Sequence, residues 1–198
     1  IGNNPAADNA EITAVASGTL PDGKAVIVNT DGTVSVVGIQ SISTAAGTPV
    51  DPDAGTGGAS TGCVFDSNSN KVVVVFRDAG NSSYGTARVG TVDSSDNSIS
   101  FGSKVVFNSG NSTIFATAFD SNSNKVVISY SDGGNSSQGT AVVGTVSGTD
   151  ISFGSEVVFE AGTPNAQTMT FDSSNNKVVI AYGDGGNSNK GKAVVGTV

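Results

Sequence analysis

The sequence predicts an all-β chain: a β-propeller-like array of four-stranded antiparallel blades, with a period of about 52 residues and an incomplete last blade. Three observations carry that expectation. The nonapeptide FDSNSNKVV at 65–73 returns letter for letter at 119–127, and again as FDSSNNKVV at 171–179. The 198 residues include 27 glycines, with valine and threonine throughout, which is the composition of strands joined by tight turns. The strand segments are apolar on both faces, as in sheets covered on both sides.

The repeat sets the organisation. Aligned on Phe65, Phe119 and Phe171, the copies are spaced by 54 and 52 residues. RDAGNSSYGTARVGTV (77–92) matches SDGGNSSQGTAVVGTV (131–146) and GDGGNSNKGKAVVGTV (183–198), and SISFGSKVVF (98–107) matches DISFGSEVVF (150–159). A fainter copy, DGKAVIVNTDGTVSVVG (22–38), lies upstream, and SIST (41–44) echoes SISF. The chain therefore divides into an N-terminal extension (1–10), a degenerate first repeat or attachment segment (11–60), a second repeat (61–112), a third (113–162) and a partial fourth (163–198).

Within the third copy, turn signals separate the strands TIFATAFD, KVVISYS, GTAVVGTV and ISFGSEVVF. The connections SNSN, DGGNSSQ and SGTD are short, so successive strands pair as an antiparallel meander. In the KVV strand one face carries Val126, Ile128 and Tyr130, matched by Val72, Val74, Phe76 and by Val178, Ile180, Tyr182. The opposite face is smaller: Val73 and Val75, Val127 and Ser129, Val179 and Ala181. Gly90, Gly144 and Gly196 share one place in the next strand, where a neighbouring surface comes close. An immunoglobulin-type domain of about 100 residues is nearly twice the period. No segment shows the 3.6-residue apolar period of a helix.

The last copy ends at GTV, with Val198 and no SISFGS segment after it, so one sheet edge is open. Residues 1–10 closing the array, a strand from a neighbouring subunit, or further blades past 198 would each cover it. Completion by another chain is the expectation here, giving self-assembly through the open edge.

Candidate ligand positions lie in the hairpins RDAGNSS, SDGGNSS and GDGGNSN: Asp78 and Asn81, with Tyr84 behind them, Asp132 and Asn135, and Asp184 and Asn187. In such a hairpin Asp caps the loop, Gly supplies positive φ and Asn tolerates it. A ring of sugar or calcium contacts is the sharper alternative, although one carboxylate per hairpin falls short of the 6–8 oxygens calcium takes. Asp66, Asp120 and Asp172 open turns of the same kind ahead of Lys71, Lys125 and Lys177. Tyr130 and Tyr182 are expected in the core, which leaves Tyr84 to stack on a sugar. Cys63, aligned with Thr117 and Met169, is read as a small buried filler.

Histidine is absent, which removes the commonest general base and metal ligand along with every Ser-His-Asp or Cys-His arrangement. The acids repeat at equivalent turn positions, whereas a catalytic site breaks repeat symmetry. No enzyme activity, cofactor or metal is expected. The net charge of −8 and nine scattered basic residues do not make a phosphate-tracking surface, so nucleic acid is not an expected partner. No run reaches the ~18 apolar residues of a membrane span, so membrane insertion is not expected either.

The string FDSNSNKVVISYSDGGNSSQGTAVVGTVSGTDISFGSEVVF (119–159), and with it the whole of 61–198, resembles a repeat of structural and tail-fibre-type proteins of marine cyanophages and related marine phages. ASGTLPDGKAVIVNTDGTVSVVG (16–38) looks like the opening segment of similar phage proteins. The resemblance implies an extracellular virion component, one that touches host surface glycans, and it carries over no catalytic residue. A non-enzymatic structural or assembly protein, a virion component or filament-forming subunit, is the leading expectation. A carbohydrate- or receptor-binding module on the same scaffold is the alternative.

Overall fold

The structure, a computed structural model, describes residues 15–16, 18–19, 26–36, 46–53 and 61–198. The expected extension (1–10), the SIST echo (41–44) and residues 54–60 lie outside the described residues. The chain divides into two units, Ile1–Ala45 and Ala46–Val198. In the first, β1 (Val15–Ala16) pairs parallel with β3 (Thr33–Val36), and β2 (Val26–Val28) pairs antiparallel with β3. The β2–β3 turn holds because Gly32 takes φ +81° and the Asp31 carboxylate accepts the amide and hydroxyl of Thr33. This is the hairpin expected of the faint upstream copy.

The second unit is built of β4 (Thr61–Asp66), β5 (Lys71–Asp78), β6 (Tyr84–Asp93), β7 (Ser98–Phe101), β8 (Val105–Asp120), β9 (Lys125–Asp132), β10 (Gln138–Ser147), β11 (Asp150–Phe153), β12 (Val157–Glu160), β13 (Pro164–Asp172), β14 (Lys177–Asp184) and β15 (Lys190–Gly196). Every pairing among them is antiparallel. β4 to β7 form a first sheet, with the start of β8 on β6. The remainder of β8 opens a second sheet with β9 to β12. The third sheet runs β13-β14-β15. The described strands form no closed ring of hydrogen-bonded sheets, and among the described residues no helix is long and apolar enough to cross a membrane.

The fourth strand of each repeat is not the single run that its sequence implies. It breaks after the Phe of ISF, where the amides of Gly102 and Gly154 turn to the carbonyls of Val89 and Val143 at 2.8 and 2.9 Å. In the second repeat its second half then runs without a turn into the next copy as the 16-residue β8, whereas in the third β12 ends at Glu160 and a bend at 161–162 precedes β13. Register shifts at Tyr84/Gly85 and at Thr113/Ala116 let β8 leave one sheet and enter the next.

The opening nonapeptide builds the same turn three times. Asp66 Oδ1 accepts the amides of Asn68 and Ser69, Asp120 those of Asn122 and Ser123, and Asp172 those of Ser174 and Asn175. Asn70, Asn124 and Asn176 then take the left-handed conformation at φ 54°, 56° and 53°, which Asn tolerates. Each turn delivers a lysine to the threonine facing it on the next strand or just past that strand's end: Lys71 to Thr91, Lys125 to Thr145 and Lys177 to Thr197, at 2.7–2.8 Å.

The packing is directional. The small face of the first sheet (Val73, Val75, Ala87, Val89) is buried against the bulky face of the second (Val126, Ile128, Tyr130, Val142). The small face of the second, through Val127 and Ala141, meets the bulky face of the third, through Val178, Ile180 and Tyr182. Each such valine or isoleucine, fully buried, contributes about 1.5–3 kcal/mol. Tyr130 and Tyr182 are core residues as expected. Cys63 is not the buried filler expected of it but is exposed. It lies on the bulky face of the first sheet, opposite Val74, whereas its counterpart Met169 packs on the sheet before it. Phe65 on the same strand is likewise 53% exposed, while Phe119 and Phe171 are packed into the cores.

Candidate functional site

The three hairpins between β5 and β6, β9 and β10, and β14 and β15 hold all the ligand positions singled out in the sequence. Their aspartates turn inward: Asp78, Asp132 and Asp184 are 3–5% exposed. Asp132 and Asp184 accept the amides of Gly134 and Gly186 at 2.9 Å and cap short 3-10 turns, Gly133–Asn135 and Gly185–Asn187. The Asp78 carbonyl takes the amides of Asn81 and Ser83. Asn81, Asn135 and Asn187 are exposed at the hairpin tips, and Tyr84, at the start of β6, is half-buried. The structure thus groups each aspartate with its own turn and presents the asparagines outward, one per hairpin.

Glycine was expected to supply the positive φ of these hairpins. Instead two consecutive residues after the Asn carry it: Ser82 and Ser83, Ser136 and Ser137, Ser188 and Asn189, all between 54° and 63°. The glycines meet a different demand. A Cβ on Gly133 would lie 2.7 Å from the Asn111 carbonyl, and one on Gly185 2.6 Å from that of Thr163, because the incoming strand passes close.

Lysines reach two of the buried aspartates from different sequence positions. Lys104 Nζ lies 2.9 Å from Asp78 Oδ2 and 2.8 Å from Asp53 Oδ1. Burial works to lower the Lys104 pKa, but its hydrogen bonds to Asp53 and Asp78 outweigh that and raise it. In the third sheet Lys192 Nζ lies 2.6 Å from Asp184 Oδ2 and 3.0 Å from Glu160 Oε2, and bonding to Asp184 and Glu160 raises its pKa. Glu160 also accepts the Gly162 amide and the Tyr182 hydroxyl. The Gly162 amide, then Tyr182 and Lys192, pull its pKa down to about 2. In the second sheet the Tyr130 hydroxyl donates to Glu156 at 2.7 Å, and burial, then that carboxylate, pushes the tyrosine pKa up. Among the described residues no group of three or more His, Cys, Asp or Glu side chains is placed to hold a metal ion.

The second candidate region is the open edge itself. β15 is the outer strand of the third sheet; Val195 on it and Val198 just past it are 61% and 39% exposed. An apolar cleft of about 430 Å³ separates the second and third sheets beside this edge, lined by Val127, Val143, Val157, Ile180, Gly196 and Val198 among others. A shallower hollow of about 370 Å³ lies on the opposite face, over Ala181 and Gly191. The glycines along the edge explain both. A Cβ on Gly90 would lie 2.8 Å from Ile99 and 3.0 Å from Phe101, and one on Gly144 2.8 Å from Ile151 and 2.9 Å from Phe153. At Gly196 nothing comes within 4 Å. The close surface expected at these glycines is therefore the outer strand of the same sheet, present in two copies. Gly85, Gly139 and Gly191 repeat the pattern: a Phe107 carbon lies 2.6 Å and a Phe159 carbon 2.8 Å from the first two positions, with nothing at the third. This second glycine series was not singled out in the sequence, although its signal, the first Gly of GTARVG, GTAVVG and GKAVVG, is legible there.

Neither protein-family models nor curated proteins match the chain. The functional reading therefore rests on these two regions.

Proposed function

We propose that the chain is a non-enzymatic structural or assembly protein, built as a propeller-like array of blades whose repeated packing faces serve self-assembly. The observation that carries this reading is the directional stacking of the sheets, in which the small face of each is buried against the bulky face of the next, so that like units add one onto another. The repeat supports it, because similar blades present the same packing surface several times. An extracellular or virion-surface setting, as a tail-fibre-like component or filament subunit, follows from the resemblance of 61–198 to marine phage structural repeats. Electron microscopy of the purified chain, with sedimentation velocity over a concentration series, tests the proposal. Regular oligomers or filaments are the expected result. Separate monomers at every concentration would overturn it.

A glycan-binding role is the second reading, favoured by the three asparagines exposed at equivalent hairpin tips and by half-buried Tyr84 beside the first. Exposed amides in a repeated row, with one aromatic face, suit a repeating polysaccharide. Glycan-array binding lost in Asn81→Ala and Tyr84→Ala variants supports this reading, and an array without signal removes it.

A further inference from the structure

The two interfaces between sheets follow one plan but differ at one pair of positions. Between the first and second sheets, Val75 on β5 faces Phe115 on β8. A Cβ on Gly62, the β4 residue paired with Val75, would lie 3.1 Å from a Val75 methyl and 3.5 Å from Phe115 Cβ. Val75 is fully buried, and Phe115 packs on the same core. One copy later the aligned residues are Ser129 on β9 and Gln167 on β13. Ser129 is fully buried on the small face of the second sheet, between its strand partners Ala116 and Ala141. Gln167 is paired with Tyr182 and stands two residues before Met169, both of which belong to the core between the second and third sheets. β13 packs over β8 and β9 there, as β8 packs over β4 and β5 one copy earlier. An apolar pair in one interface is therefore a polar pair in the next.

Ser129 Oγ, Gln167 Nε2 and Gln167 Oε1 are all buried, and they find no hydrogen-bond partner among the described residues. Buried polar atoms are nearly always paired, with protein or with ordered water. We propose that the interface between the second and third sheets holds a bound water site, formed by the Ser129 hydroxyl and the Gln167 side-chain amide. The hydroxyl donates and accepts, and the amide donates through its nitrogen and accepts through its oxygen, which gives bound water the roughly two to four partners that hold it. Room comes from the substitutions themselves, a hydroxymethyl in place of a branched valine and an open-chain amide in place of a phenyl ring. The site also makes the two interfaces non-interchangeable. The Ser129 face against a bulky face carrying Phe115 would bury its hydroxyl dry, and the Val75 face against Gln167 would strand the amide. Near-identical copies thus stack in one order, because each wrong pairing leaves a polar atom unsatisfied. The inference does not depend on self-assembly, since both sheets belong to one chain.

Magnetisation transfer from water to side-chain amides, measured by NMR on the full chain, tests the site without any variant. A long-lived water cross-relaxing with the Gln167 amide protons is expected, and a Gln167 amide that shows none overturns the inference. A double-mutant cycle read as urea midpoints at constant m-value supplies the second test. Ser129→Ala and Gln167→Leu each fit the space of the residue they replace. Each alone removes one side of the site, so each should lower the midpoint. The double variant, apolar on both sides, should recover most of the combined loss and should lose the water signal. Single variants that each raise the midpoint, with effects that add, overturn the inference, because that is how two unsatisfied polar groups in a dry core would respond.

Discussion

β9 and β14 carry nearly the same sequence, KVVISYSD and KVVIAYGD, yet their surroundings differ. In β9 every residue after Lys125 is buried, and in β14 only every second one is. The strand is equally ready in both places for sheets on two sides. β9 has the first sheet against its bulky face and the third against its small face, whereas β14 has a neighbour on the bulky face alone. Burial here belongs to the array and not to the strand. On the small face of the third sheet Val195, paired with Val179, is 61% exposed.

The largest expected effect that sharpens this comparison is a pair of identical substitutions. Gly144→Leu forces a side chain into Ile151 and Phe153, so it should destabilise by about 1–3 kcal/mol through overpacking. Gly196→Leu, at the same place one repeat later, should stay within about 0.5 kcal/mol of wild type, since nothing lies within 4 Å. Urea midpoints at constant m-value measure both. Equal losses would mean that β15 is not an open edge.

A smaller effect concerns acid. Glu160 binds the second sheet to the third through Tyr182 and Lys192, and its pKa falls from an ordinary 4.5 to about 2. A lowered carboxylate stabilises the folded chain in full above its unfolded pKa, and the contribution fades as pH falls toward the folded value. The thermal midpoint should therefore drop between pH 4.5 and 2, and Glu160→Gln should flatten that drop. A wild-type slope retained in the variant would assign the acid sensitivity elsewhere.

Much of the fold is legible in the sequence because it is written repeatedly. The FDSNSN turns, the KVV strands with their two apolar faces and the buried tyrosines all follow from residue type at fixed offsets. What escaped depends on contacts between copies. Cys63 reads like Met169 until one sees that, among the described residues of the second unit, no sheet packs on the bulky face of the first as the second packs on Met169. The fourth strand reads as continuous because ISFGSEVVF has no strong breaker, and only the Gly154 amide bonding to Val143 reveals its bend. Positive φ falls on serines since the hairpin glycines are needed for close approach, and local preference yields to packing. The aspartates of the candidate ligand set were legible as turn formers, and the exposure of Asn81, Asn135 and Asn187 required the structure.

Hydrogen exchange along β10 and β15, followed from dilute to concentrated protein, tests the central claim most directly. In the dilute chain the amides of β15 should exchange far faster than those of β10, and they should slow as concentration rises and copies associate. Amides of β15 already as slow as those of β10 in a dilute monomer would contradict the account, because the last sheet would then be complete within one chain.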